Sequence, residues 1–141
     1  MAIKQISAFV ENKKGSISET VKAISDAGIN LRALCIADTQ EFGILRLIVS
    51  DTEKAVEVLK GNTIVNVTDV IAVKMDDKEG ALHNVLMVLE DADINIDYSY
   101  AFTGAKSGAY VVIRVDSVEV AEKALIDKGI EVLVEADVAS I

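Results

Sequence analysis

The spacing of apolar residues changes along the first half of the chain from the period of a strand to that of a helix and back. Apolar runs of strand length cover residues 2–10, 29–37, 42–50 and 64–67. Three apolar residues at helical spacing predict a helix over residues 16–27: Ile17, Val21 and Ile24. A second helix begins at Asp51 or Thr52 and ends at Gly61. The predicted order is therefore βαββαβ.

The second half of the chain repeats this plan at an offset of about 65 residues. The shift aligns glycines, isoleucines and turn residues: Ile6 with Ile71, Gly15 with Gly80, Asn30 with Asn95, Gly43 with Gly108, Ile48 with Ile113 and Asp51 with Asp116. Strands are predicted over residues 70–75, 94–102, 109–115 and 130–134, and helices over residues 81–92 and 117–128. Residues 103–108 are predicted to form a glycine-rich hairpin loop.

A βαββαβ order predicts an antiparallel sheet with both helices on one face. The fold class is therefore α+β, with two ferredoxin-like units over residues 1–68 and 69–141. Because the junction has no linker composition, we expect the two sheets to pack side by side.

A polar loop with a glycine joins the first strand to the first helix of each repeat. Residues 11–16 read Glu-Asn-Lys-Lys-Gly-Ser, and residues 76–81 read Asp-Asp-Lys-Glu-Gly-Ala. A glycine permits positive φ and close approach of a ligand, and the helix start favours a small anion such as a carboxylate. Ser16 and Glu19 also fit a capping box. The alternative is a plain turn whose glycine serves geometry only.

Composition and charge exclude several classes of partner. The formal net charge is −9, with most of the acidic excess in residues 70–141, and aromatic residues are few. Nucleic-acid and anionic-membrane binding are therefore not expected. The start of the chain lacks the apolar segment of a signal peptide, and no apolar run reaches the length of a membrane span. Cys35 is the single cysteine and is predicted to be a small core residue. We expect a cytoplasmic protein.

No catalytic constellation is visible in the sequence. His83 is the single histidine, lies in the first turn of a predicted helix and has no metal-ligand spacing around it. Phosphate-binding and dinucleotide-binding fingerprints are absent. The expectation is a protein that is not an enzyme and has no metal and no cofactor.

The repeated motifs resemble the ACT domain. A glycine opens the first helix, and the second strand is entered by Gly28-Ile29-Asn30-Leu31 in one repeat and Asp93-Ile94-Asn95-Ile96 in the other. Together with Phe42-Gly43-Ile44-Leu45-Arg46, this is similar to small stand-alone proteins of two ACT domains. The resemblance covers essentially the whole chain. It implies regulatory binding of small molecules, most often amino acids, at interfaces between ACT units.

The resemblance also implies which residues contact the ligand. In the first unit these are Asn12, Gly15, Ser16 and Ile17, and in the second they are Asp76, Gly80, Ala81 and Leu82. Glu11 is a further acceptor for an ammonium group, Leu31 a further apolar wall, and Asn30 and Asn95 are repeated polar candidates that could instead hydrogen-bond the adjacent loop. The family often has proline before the loop glycine, whereas Lys14 and Glu79 stand here. The more acidic second loop makes the first loop the better candidate for a carboxylate.

The first functional hypothesis is thus an amino-acid sensor that acts in trans on an enzyme or transporter. Uncovered sheet faces and edges predict a homodimer. Two alternatives stay open. One is a small acylphosphatase-like hydrolase, although neither loop has the arginine of that chemistry. The other is a structural subunit of a heteromer with vestigial sites.

Overall fold

A computed structural model describes residues 2–38, 40–104 and 108–140. The strands are β1 Ile3–Glu11, β2 Leu31–Asp38, β3 Phe42–Val49, β4 Val65–Met75, β5 Ile96–Gly104 and β6 Gly108–Val115. The helices are α1 Ser16–Asp26, α2 Thr52–Leu59, α3 Ala81–Asp91, α4 Val118–Asp127 and α5 Glu135–Val138. The chain divides into two compact units, one formed by Lys4–Thr68 and the other by Asp69–Ile141 with Met1–Ile3.

The first unit has the strand order β2-β3-β1-β4, in which β1–β3 and β2–β3 are antiparallel pairs. Alternate residues of β1 and β3 point to one face, where α1 and α2 cover them. The buried cluster on this face contains Ile6, Ala8, Val10, Ile24, Ile29, Leu45, Leu47, Val49, Ala55 and Leu59. Burial of this apolar face holds the helices against the sheet.

The second unit repeats the arrangement with the order β4-β6-β5. Val132 adds an isolated antiparallel bridge to Val73, in the place of a fourth strand. The buried cluster again joins the sheet to two helices: Ile71, Val73, Val85, Leu89, Val111, Ile113, Val115, Ala121 and Leu125. The predicted α+β class, with two ferredoxin-like units and antiparallel pairing, is confirmed.

Two element predictions were wrong at the ends of the units. Residues 64–67 and 70–75 were predicted as separate strands, but β4 runs unbroken from Val65 to Met75. No glycine or proline interrupts this stretch, and its valines favour extended backbone. Residues 130–134 were predicted as a full strand, but the pairing there is reduced to a bridge and two flanking hydrogen bonds. The chain then enters α5, where the Val134 amide donates to Asp137 Oδ2 at 2.8 Å.

The repeat offset is not constant. Leu34 faces Leu47 across the β2–β3 pair, and Ser99 faces Ile113 across the β5–β6 pair. The second strands therefore correspond at an offset of 65 residues and the third strands at 66. The extra residue falls in the second hairpin, so Ile48 and Ile113 are not equivalent, contrary to the sequence alignment. The helix N-caps, Asp51 and Ser117, follow the new offset.

Cys35 does not lie in the core. It is half-buried in the middle of β2 and pairs with Arg46 of β3. The apolar run that contains it belongs to a strand at the end of the strand order, where one side has no neighbouring strand among the described residues. A position on an edge strand accounts for its partial exposure.

Candidate functional site

The loop between β1 and α1 is closed by its own backbone. The Lys13 amide donates to the Glu11 carbonyl oxygen at 2.9 Å, and the Ser16 amide donates to the Lys13 carbonyl oxygen at 3.2 Å. Lys13 Nζ lies 2.8 Å from Glu11 Oε2. Gly15 has φ +91° and ends the loop. The polar residues read from the sequence therefore form one compact turn.

The loop between β4 and α3 has the same construction. The Lys78 amide donates to the Asp76 carbonyl oxygen at 3.0 Å, and the Ala81 amide donates to the Lys78 carbonyl oxygen at 3.3 Å. Lys78 Nζ lies 3.2 Å from Asp76 Oδ2, and Gly80 has φ +83°. The two backbone hydrogen bonds within the first loop and its ion pair thus recur 65 residues later.

At the start of both helices, the first backbone amides have no acceptor within the helix itself. The N-caps are Gly15 and Gly80, and neither cap has a side-chain hydrogen bond. The capping box predicted at Ser16 was wrong, because Ser16 is already the first helical residue. The first bond within α1 runs from the Glu19 amide to the Gly15 carbonyl oxygen at 2.9 Å. The amides of Ile17 and Ser18 precede it and point out of the helix end, where they favour an anion.

The two glycines are needed for their backbone angle and not for space. A Cβ at Gly15 would meet Glu19 Oε1 at 3.9 Å, and a Cβ at Gly80 would meet nothing within 4 Å. The left-handed φ at both positions, however, is strained for other residues. A substitution there would alter the loop conformation before it blocked a ligand.

A cavity of about 480 Å³ opens beside the first loop. It is bounded by the end of β1, the first turns of α1 and the segment after α2. Its polar lining consists of Glu11, Lys13, Ser16, Glu19, Thr20, Asn62 and Thr63, and its apolar lining of Phe9, Val10, Ala23 and Leu59. The Phe9 amide donates to the Ile64 carbonyl oxygen at 3.0 Å, and the Thr63 hydroxyl donates to the Phe9 carbonyl oxygen, so this wall is tied to β1.

A cavity of about 540 Å³ occupies the matching place in the second unit. Its lining comes from the end of β4, the start of α3 and the segment after α4: Lys74, Met75, Asp76, Asp77, Lys78, Ala81, Asn84, Val85, Gly108, Gly129, Ile130 and Glu131. The Lys74 amide donates to the Glu131 carbonyl oxygen at 3.0 Å, as Phe9 does to Ile64 in the first unit. Three walls of the first cavity thus recur in the second, to which Gly108 of β6 is added.

The charges around the two cavities balance in the same way. The first lining has two carboxylates and one ammonium group, and the second has three carboxylates and two ammonium groups. Each lining thus has one negative charge in excess. Glu79, which made the second loop look more repulsive to a carboxylate in the sequence, is not in the lining. The pKa of Lys13 is raised, chiefly by its hydrogen bond and attraction to Glu11 and less by Glu19.

The predicted site residues divide into two groups. Glu11, Ser16, Asp76 and Ala81 line the cavities, and Asn12, Gly15 and Gly80 lie in the same loops. The Asn12 amide donates to the Glu41 carbonyl oxygen at 2.9 Å. Ile17 and Leu82 are exposed beside the loops and outside the linings.

The other predicted residues lie at the opposite end of their units. Asn30 precedes β2, where its amide donates to Ser50 Oγ at 3.0 Å, and Leu31 packs against the first core. Asn95 has the corresponding place before β5 and is exposed. An α1 of 11 residues separates Asn30 from the first loop, a helix length of about 16 Å. Neither asparagine is brought to the cavity of its own unit.

The sequence did not single out the rest of the lining. Thr20 and Ala23 follow Ser16 along one face of α1 at the spacing of helix turns, which was a usable signal. Asn62 and Thr63 lie about 50 residues further along the chain, and only the fold brings them to the loop.

Neither a metal site nor a membrane-spanning helix is found among the described residues. Among residues 2–38, 40–104 and 108–140, no three histidine, cysteine or acidic side chains are grouped as metal ligands. Of the helices in the part of the chain that the structure describes, none has the length and apolar character that crossing a bilayer requires. His83 is exposed on α3.

Comparisons with known proteins place the chain in a family. The family model for the ACT domain pair matches residues 1–141. No curated protein sequence matches the chain. A crystal structure of a Bacteroides thetaiotaomicron protein is 39% identical, with a TM-score of 0.93, over 100% of this chain and 98% of that one.

Regulatory subunits of aspartate kinase share the fold at lower identity. The ligand-free subunit of Thermus thermophilus is 13% identical with a TM-score of 0.68, over 92% of each chain. That of Thermus flavus is 13% identical with a TM-score of 0.62, over 90% of this chain and 92% of that one. The match of the family model over the full length agrees with the two βαββαβ units and their repeated loops. The chain belongs to the ACT domain pair family.

Proposed function

We propose that this chain is a non-catalytic regulatory protein whose two ACT domains, residues 1–68 and 69–141, bind a free amino acid at their β–α loops. It acts in trans on an enzyme, as a homodimer in the cytoplasm. The observation that carries the proposal is the pair of matched cavities. Two loops with the same hydrogen bonds, the same left-handed glycine and three matching walls support a shared binding role better than a shared turn alone.

The first cavity has complementary groups for each part of an amino acid. The open amides of Ile17 and Ser18 are donors for the α-carboxylate. The carboxylates of Glu11 and Glu19 are acceptors for the α-ammonium group. Phe9 and its apolar neighbours offer a wall for the side chain. A volume of about 480 Å³ lies within the ordinary range of small-molecule sites.

The regulatory part of the proposal has separate support. Two proteins with this fold are regulatory subunits of aspartate kinase. In those proteins the regulatory subunit is a chain of nearly the same extent as this one, since 92% of each is covered. This supports the proposal that a separate chain of two ACT domains regulates an enzyme.

A thermal-shift screen against the twenty amino acids tests the proposal. A ligand that binds only the folded state at 100 times its Kd stabilises that state by about 2.7 kcal/mol. We expect at least one amino acid to raise the Tm and close chemical relatives of it to do so less. If no amino acid changes the Tm at millimolar concentration, the chain is not an amino-acid sensor.

A pair of matched substitutions locates the site. Glu19→Gln keeps the size of a cavity-lining side chain and removes its charge, so we expect about tenfold weaker binding in the first unit. Glu57→Gln makes the same change on α2, outside the lining, and should leave binding unchanged. Equal losses in the two variants would contradict the proposed site.

A further inference from the structure

The covered parts of the two cavity linings differ in polarity. In the first unit, three hydroxyl side chains lie at buried or half-buried positions of the lining: Ser16, Thr20 and Thr63. In the second unit, the lining residues at the corresponding positions are all apolar: Ala81, Val85 and Ile130. Each of the three hydroxyls in the first lining is thus replaced by a hydrocarbon side chain in the second.

The helix starts establish two of these correspondences. Ser16 and Ala81 each follow the glycine N-cap of their helix, and Thr20 and Val85 each lie four residues further along. Serine differs from alanine by a hydroxyl group, and threonine has nearly the shape of valine but also carries a hydroxyl. The two helix faces therefore differ in hydrogen-bonding capacity much more than in size.

The segment after the second helix of each unit establishes the third correspondence. The Thr63 amide donates to the Leu59 carbonyl oxygen at 3.1 Å, and the Ile130 amide donates to the Leu125 carbonyl oxygen at 3.0 Å. In both segments the next residue accepts a backbone hydrogen bond from the strand before the loop. Thr63 and Ile130 therefore occupy the same place in the two cavity walls.

Two of the hydroxyls in the first cavity are available to a ligand only as acceptors. Thr20 Oγ1 donates to the Ser16 carbonyl oxygen at 3.0 Å, and Thr63 Oγ1 donates to the Phe9 carbonyl oxygen. A hydroxyl has one proton and two lone pairs, so both oxygens can still accept a hydrogen bond. At the matching positions, the second cavity offers only hydrocarbon.

The charged groups lie mainly at exposed positions of both linings. Each loop has its ion pair, and each lining has one negative charge in excess. The second lining has a further pair, in which Lys74 Nζ lies 3.6 Å from Glu131 Oε2 and the side chains are 39% and 63% exposed. Glu19 and Asn84 occupy corresponding positions, and both are exposed. The change from hydroxyl to hydrocarbon at the covered positions is therefore separate from the charge pattern.

We propose that the two cavities rank amino acids in opposite order. The first prefers a side chain that donates hydrogen bonds, and the second prefers an aliphatic side chain. The three hydroxyls of the first lining and their three apolar counterparts in the second are the specificity-determining residues. This inference rests on the proposed binding of amino acids, and it goes beyond that proposal by assigning a class of side chain to each cavity.

The cost of mismatched groups explains the preference. An aliphatic side chain in the first cavity would separate the hydroxyl oxygens from water and give them no donor in exchange. A polar side chain in the second cavity would lose its own contacts with water and find no partner at positions 81, 85 and 130. The reversal should therefore appear even between amino acids of nearly the same shape, L-asparagine with L-leucine and L-threonine with L-valine.

NMR titration of the ¹⁵N-labelled protein measures both cavities in one sample. The amide signals of Ile17 and Ser18 follow binding to the first cavity, and those of Leu82 and His83 follow binding to the second. For L-asparagine and L-threonine, we expect a Kd about tenfold lower at the first cavity than at the second. For L-leucine and L-valine, the second cavity should have the lower Kd.

The outcomes separate this inference from the proposed function. The same preferred cavity for all four amino acids, or equal Kd values at both cavities, would overturn the inference and leave amino-acid binding intact. A lack of shifts at both helix starts with all four would also overturn it, and the thermal-shift screen of the twenty amino acids then decides the proposed function separately. A screen in which no amino acid raises the Tm would overturn both.

Substitutions that exchange one lining for the other test the residues. Thr20→Val and Ser16→Ala each give the first cavity a side chain of the second, so each should weaken L-asparagine binding there by roughly threefold to tenfold and leave the second cavity unchanged. Thr68→Val makes the same change on β4, outside both linings, and should alter neither Kd. Circular dichroism establishes that the variants are folded. Unchanged binding in both Thr20→Val and Ser16→Ala, or equal losses at the two cavities, would contradict the assignment.

Discussion

The two units of this protein agree closely at one place and differ at another. Their β–α loops have the same ion pair, the same backbone hydrogen bonds and a glycine in the same left-handed conformation. Their edge strands share a position in the sheet but not a surface, since β2 presents leucine and isoleucine where β5 presents serine and alanine. The likeness supports the proposal of two equivalent binding loops, whereas the difference shows that the two edge strands are not equivalent.

The closing strands differ as well. The first unit has the beginning of β4 beside β1, whereas the second has only a bridge at Val132 and then turns into α5. The wall formed by this segment is nevertheless retained, because Glu131 accepts from Lys74 as Ile64 accepts from Phe9. The cavity wall is thus retained without a complete strand.

The largest effect on stability is expected from substitutions in the two cores. Leu47 and Ile113 are equivalent and fully buried, so Leu47→Ala and Ile113→Ala should each lower the free energy of unfolding by about 3 kcal/mol. Urea denaturation measures the cost, and hydrogen exchange shows in which unit protection is lost. A cost below about 1 kcal/mol for either variant would show that the position is not a core position.

Substitutions of the loop glycines should have the next largest effect on stability. Gly15→Ala and Gly80→Ala should each cost about 1–2 kcal/mol, because alanine is strained at the left-handed φ. Gly15→Asn should cost less, since asparagine tolerates that conformation better. Thermal denaturation of the three variants provides the comparison. Similar stability of the asparagine and alanine variants would contradict the view that backbone angle decides the residue.

A smaller difference is expected between the caps of α2 and α4. Asp51 accepts a hydrogen bond from the Lys54 amide at 3.1 Å, whereas Ser117 makes no side-chain cap bond. Asp51→Ala should therefore cost about 1 kcal/mol, and Ser117→Ala should stay within about 0.5 kcal/mol of wild type. Chemical denaturation resolves this difference. Equal costs would mean that Ser117 also caps its helix in solution.

The smallest effect concerns the ion pair of the first loop. Glu11 raises the pKa of Lys13 above its ordinary 10.5, so Glu11→Gln should lower that pKa. Glu19→Gln should lower it less, because Glu19 is the weaker cause. The stabilisation is present below pH 10.5 and is lost as the pH rises through the folded-state pKa. NMR titration of the Lys13 side chain measures both shifts, and an unchanged pKa in Glu11→Gln would exclude the pair in solution.

Most of the fold followed from the sequence because its signals are local. The apolar spacing of Ile17, Val21 and Ile24 marked α1, and the left-handed glycines marked helix starts. The one-residue change of offset was missed because Gly43 and Gly108 are identical residues at the original offset of 65. The register of a strand depends on which residues it pairs with across the sheet, and a sequence alignment does not show that pairing.

The lining of the first cavity was predicted only where it is local in the chain. The loop residues Glu11 and Ser16 were found from their neighbours, and they line the cavity. Asn62 and Thr63 were missed, because they follow the second helix in the sequence. No residue pattern next to the loop indicates that they lie close to it. Asn30 and Asn95 were chosen for their repetition. Their distance from the loops became visible only once α1 and α3 had been placed.

An NMR titration of the ¹⁵N-labelled protein with the amino acid that raises the Tm tests the central claim most directly. The account predicts saturable shifts of the amide signals at the two helix starts, Ile17 and Ser18 in the first unit and Leu82 and His83 in the second. The signals at Asn30 and Asn95 should move little, since they lie at the far ends of the units. Shifts confined to residues away from both loops would contradict the account.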